Sequence, residues 1–227
     1  MGSTSITEER TPSSGRLVLR APRAAAVAGI IFSILTIIGF GLVRYAIPAD
    51  LTASGAWLND SGRRYALLLA LDLVPFAGIA FVWFIAVLHD LVGGSDQFFA
   101  IVLVASGLLF TASLFAAAAV TGSLLKSVGS GNVDGETYFF GRCLSDTLLN
   151  LFAMKMAGVF IFSTCSIGLR TAMFPRWIAY AGYACGLLLL LIIANWRWIT
   201  LVFPFWILVL STALLLMQFD YRLIRAS

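Results

Sequence analysis

Apolar residues run through this chain in six long blocks, each interrupted by a short polar stretch. A helix needs about 20 consecutive apolar residues to cross the hydrocarbon core of a bilayer. The pattern therefore predicts an all-α bundle of six transmembrane helices. The blocks are Arg23–Ile47, Tyr65–Leu91, Phe98–Leu125, Glu136–Thr171, Trp177–Ala194 and Ile199–Phe219. Pro48 stops the first block, and Pro204 predicts a kink near the start of the sixth. Residues 1–22 are polar and rich in Ser, Thr and Arg, and read as a disordered tail. The block after them is too long for the core of a cleaved signal, so it reads as an anchor. A short polar tail, Asp220–Ser227, closes the chain. Trp57, between the first two blocks, matches the aromatic belt at headgroup depth, and Asn195, Trp196, Arg197 and Trp198 read as a tight aromatic and basic turn between the last two.

Composition agrees with the pattern. The chain is 60% hydrophobic and only 11% charged, which places it outside the range of soluble domains. Its mean hydropathy is +0.96. The net charge of +4 comes from basic residues scattered singly, with no run able to track a phosphate backbone, so no nucleic-acid partner is expected. Six crossings put both termini on one side. Eight Lys or Arg residues fall on that side and six on the other, a bias that favours cytoplasmic termini.

The chemistry available is narrow. His89 is the sole histidine, which excludes a bis-histidine haem and a three-histidine metal site within the chain. Cys143, Cys165 and Cys185 form no CxxC pair and no disulfide framework. No HExxH, GxSxG, P-loop or GxGxxG motif stands in a supporting context. No cofactor and no catalytic constellation are expected.

The informative residues are the charged ones inside apolar blocks, because each needs a partner or a water-filled cavity. In the fourth block Arg142, Asp146 and Asn150 recur every fourth position, on one helix face, where Arg142 and Asp146 can pair. Lys155 lies about half a turn away from Asp146 on the wheel and must look elsewhere. Depth selects Asp72 in the second block. Lys155 precedes Arg170 by about 22 Å of helical rise, and Asp72 precedes His89 by about 26 Å. Pro75 leaves the carbonyl of Leu71 without its helical donor, a second acceptor beside Asp72. The expectation is an Asp72–Lys155 ion pair between the second and fourth helices. It serves either as a structural pin or as a polar pocket for a solute, lipid headgroup or proton. His89 and Asp90 read as an interfacial polar pair that ends the second helix.

The third block repeats small residues every fourth position: Ser113, Ala117, Thr121; Gly107, Thr111; Ala118, Gly122. Such spacing lets helices approach closely in lipid. It marks a face for a membrane-protein partner or a second copy of the chain.

The runs PFAGIAFVWFIAVLHDLVG, DQFFAIVLVASGLLFTASLFAAAAV and MFPRWIAYAGYACGLLLLL resemble uncharacterised bacterial integral membrane proteins of actinobacterial type. The resemblance implies a six-span protein of a bacterial plasma membrane and transfers no site residue. Three functions compete, in this order: a non-enzymatic scaffold or complex subunit; a small transporter or solute- or lipid-binding bundle; an intramembrane enzyme.

Overall fold

A computed structural model describes residues 21–48, 60–92, 97–129, 134–171, 174–191 and 198–226. The polar N-terminal tail up to residue 20, Trp57 and the Trp196–Arg197 turn lie outside the described residues. Six helices account for nearly all of what is described, and no strand occurs among the described residues. They are α1 (Ala21–Ala46), α2 (Ser61–Val92), α3 (Gln97–Gly129), α4 (Gly135–Thr171), α5 (Arg176–Leu191) and α6 (Val202–Ala226).

Five of them, all but α5, are long and apolar enough to cross a membrane. The described part of α5 has 16 residues, about 24 Å of helical rise, which is short of a bilayer core. The boundaries follow the apolar blocks closely, with three differences. The backbone of α6 continues to Ala226, past the expected end at Phe219. Pro204 does not kink a long helix. It stands in the first turn of α6, after a 3-10 turn at Ile199–Leu201, where a missing N–H is harmless. Finally, α4 is not uniform. A π-helical segment, Thr147–Ala153, separates its α-helical parts Gly135–Asp146 and Met154–Thr171.

The helices pack in chain order: α1 on α2, α2 on α3, α3 on α4, α4 on α5, and more lightly α5 on α6. Packing of α6 on α1 closes the ring. Aromatic rings fill its centre. Phe32, Phe81, Phe84, Phe110, Phe160 and Phe203, from five of the six helices, are fully buried. Phe81 stands among the others, with centroid distances of 4.4 Å to Phe32, 5.2 Å to Phe160, 5.3 Å to Phe110 and 5.6 Å to Phe203. These are the spacings at which edge-to-face and offset aromatic pairs add to simple burial. A second, smaller apolar cluster of Ala46, Ala66, Leu67, Leu125 and Tyr138 sits where α1 ends and α2 begins. The perimeter is apolar as well: Ile34, Ile38, Phe76, Ile79 and Trp83 are all exposed. An apolar centre inside an apolar surface is the arrangement of a bundle surrounded by lipid.

Most buried hydroxyls are satisfied within their own helices. Ser33, Thr111, Thr121 and Thr164 each donate to the carbonyl four residues earlier. The small residues of α3 are used inside the chain. Ala117 is buried, and Thr121 and Ser145 of α4 share a 2.7 Å hydrogen bond. A Cβ on Gly107 would meet Ile85 of α2.

Candidate functional site

The residues singled out by charge separate into three places. Lys155, half-buried in α4, donates from Nζ to the carbonyl oxygens of Leu189, at 3.1 Å, and Leu190. Those carbonyls belong to the last described turn of α5. A charged donor to a backbone carbonyl makes a stronger hydrogen bond than a neutral one.

Asp72 is elsewhere. It is exposed on α2, and no ion pair joins it to Lys155. The expected Asp72–Lys155 bridge does not form, for a topological reason. In the ring α3 stands between α2 and α4, so a bridge would have to cross the phenylalanine centre, while Asp72 faces outward. His89 and Asp90 are also both exposed, near the end of α2, and no hydrogen bond or ion pair links them among the described residues.

The third place is a cavity of ≈190 Å³ between the C-terminal half of α1, the N-terminal half of α2, the last turns of α3 and the first turns of α4. It separates the phenylalanine centre from the smaller apolar cluster. Phe40, Ala77 and Leu114 of the first and Leu67, Leu125 and Tyr138 of the second all line it. Its polar residues are few: Thr36 on α1, Thr121 on α3, and Tyr138, Arg142, Ser145 and Asp146 on α4. Neither Asp72 nor Lys155 reaches it.

Arg142 donates from Nη2 to the carbonyl of Pro48 at 3.1 Å, tying the exit of α1 to α4. Asp146 accepts from Nδ2 of Asn150 at 2.6 Å. No contact of ion-pair length joins Arg142 to Asp146 among the described residues, but the two charges lie near enough to attract one another along α4. The Asp146–Asn150 bond spans the start of the π segment, whose wider turns rephase the rest of α4. Single π turns within α-helices concentrate at functional sites.

No family model, curated protein or solved structure matches the chain. The resemblance to bacterial membrane proteins therefore stands on the quoted runs alone.

Charge reasoning found Arg142, Asp146 and Asn150, and it missed Thr36, Ser145 and Tyr138. One signal was present. Thr36 lies about 18 Å of rise before Pro48 and Ser145 about 16 Å after Asp134, which places both hydroxyls at one level.

Proposed function

We propose that this protein is a non-enzymatic subunit of a membrane protein complex, docked to its partner through the outward face of α2. The observation that carries the reading is Asp72. It lies about 16 Å of rise inside α2 from Ser61 and has no partner among the described residues. A carboxylate facing bare hydrocarbon at that depth is costly, and such residues mark sites that are completed by something else.

The face around it has a regular order. Tyr65, Leu69, Asp72, Phe76, Ile79 and Trp83 are all exposed and alternate in steps of four and three. That is the seam spacing of helices packed in a left-handed pair. A neighbouring helix with a Lys, Arg or amide opposite Asp72 completes the seam. The setting proposed is a bacterial plasma membrane with both termini in the cytoplasm, a reading supported by the charge bias of the loops.

Native electrophoresis in mild detergent tests the docking. The wild-type chain is expected in an assembly larger than the monomer. Asp72→Leu should release it as a monomer, while Lys155→Met should not. A wild type that is monomeric in every mild detergent, or an assembly indifferent to Asp72→Leu, rejects the proposal. The cavity favours a second reading, a lipid- or solute-binding bundle, with its site at Arg142 and Asp146 instead of Asp72 and Lys155.

A further inference from the structure

We infer that the partner docked on α2 is a second copy of this chain, whose α3 lies against α2 in a two-fold pair that sets Asp72 of each copy against Lys126 of the other. The inference rests on the docking proposed for α2 and names what docks there.

Level supplies the first argument. Side-chain contacts fix how α3 lies along α2. A Cβ on Gly107 would meet Ile85, one on Gly78 would meet Phe115, and one on Gly122 would lie 3.6 Å from Leu71. With Leu71 opposite Gly122, Asp72 stands level with Thr121. Lys126 is five residues, about 7.5 Å of rise, nearer the end where α2 begins and α3 ends. Cα–Cβ bonds tilt toward the N-terminus of their helix. Asp72 therefore leans toward that end and Lys126 leans away from it, and the two close the gap.

Exposure supplies the second. Asp72 and Lys126 are both exposed, and no ion pair joins either of them to another group among the described residues. Asp72 is turned about 100° around α2 from Leu71, so it points past its own α3. Arg142 also lies near this level, but it is half-buried and bonded to the carbonyl of Pro48. Lys126 is the exposed cation nearest the level of Asp72 among the described residues.

Symmetry supplies the third. Two copies inserted in the same direction keep every residue at the same depth, so Lys126 of one copy arrives where Asp72 of the other needs it. Laying α2 on α2 would oppose Asp72 to Asp72. Laying α2 on α3 repeats the contact by the two-fold axis and neutralises both carboxylates. Shape agrees. The outward residues of α3 at the levels of Leu69 and Phe76 are small: Ala116, Ala119 and Ser123. Large side chains of one copy thus meet small ones of the other, which lets the helices approach.

Co-capture tests the pairing. Two forms of the full chain, differing only in affinity tag, would be co-expressed and extracted in mild detergent. One tag is captured and the other quantified. Wild type should capture wild type. Self-capture of Asp72→Leu, and of Lys126→Leu, should each fall at least about tenfold. Asp72→Leu co-expressed with Lys126→Leu retains one of the two pairs, so capture should rise well above either self-capture. A contact between Asp72 and Lys126 within one chain cannot produce that rise. A chain carrying both Asp72→Lys and Lys126→Asp should capture itself and fail to capture wild type.

Mixed capture no better than self-capture overturns the inference, as does Lys126→Leu self-capture at the wild-type level. An assembly that Asp72→Leu dissolves, but that holds one copy and a different protein, overturns it and leaves the docking through α2 standing. A wild type monomeric in every mild detergent overturns both.

Discussion

Lys155 on α4 donates to the carbonyl of Leu189 on α5 at 3.1 Å. A charged side chain in an apolar bundle is here answered by backbone carbonyls of the neighbouring helix. Lys155→Met should lower stability by about 2 kcal/mol, the cost of leaving carbonyls without a charged donor. Lys155→Arg should recover part of it. Because Asp72 is no partner, the effects of Lys155→Met and Asp72→Leu should add. Thermal unfolding of the two single variants and the double variant in detergent checks this. Rescue in the double variant would restore the direct pair.

The phenylalanine centre predicts a steep contrast between two rings of one helix. Phe81 is fully buried, with four other rings within 5.6 Å, whereas Phe76 is 62% exposed. Phe81→Ala should cost about 3–5 kcal/mol, and Phe76→Ala should stay within about 0.5 kcal/mol in a monomeric preparation. Equal losses at the two positions would mean that the helix is rotated from the arrangement described.

The bundle was legible from its apolar blocks because lipid imposes one rule, backbone hydrogen bonds satisfied within each helix, on every crossing. Depth did not pick the partner of Lys155: backbone carbonyls of α5 stand where the Asp72 carboxylate was expected. What one-dimensional depth does not carry is azimuth and ring order. Asp72 matched Lys155 in level, but α3 lies between their helices and Asp72 turns outward. The π segment adds a second obstacle, since a wheel drawn at 3.6 residues per turn misplaces everything after Asp146. The cavity escaped detection because its markers are hydroxyls. Thr36 resembles any threonine in an apolar helix until its neighbours are known.

Two glycines outside the expected small-residue face let the backbones of α4 and α5 come close. A Cβ on Gly158 would lie 3.1 Å from the carbonyl oxygen of Gly186, and one on Gly186 would lie 3.3 Å from that of Gly158. Backbones this close leave little to yield. Gly158→Ala and Gly186→Ala should each destabilise by about 1–3 kcal/mol. Gly39→Ala, which enters open space inside a helix, should instead stabilise by up to about 1 kcal/mol. Melting temperatures of the three variants decide it, and a stabilising alanine at Gly158 would contradict the packing of α4 on α5.

Acid should loosen the start of α4 before anything deeper. Asp134 caps that helix, its Oδ1 accepting from the backbone N–H of Thr137 at 2.8 Å. Hydrogen bonds from the Thr137 side chain and backbone hold the Asp134 carboxyl below its ordinary value of 3.8. A carboxyl with a lowered folded pKa contributes stability that is fully present above the unfolded value. That contribution is lost as pH falls through the folded one. Amide exchange at Thr137, corrected for its intrinsic pH dependence, should therefore show constant protection from neutral pH down to about 4, then decline. Asn also caps helices but does not titrate, so Asp134→Asn should keep protection flat through the same range. Asp134→Ala should lose it at every pH. A decline in Asp134→Asn as steep as in wild type would place the titrating group elsewhere.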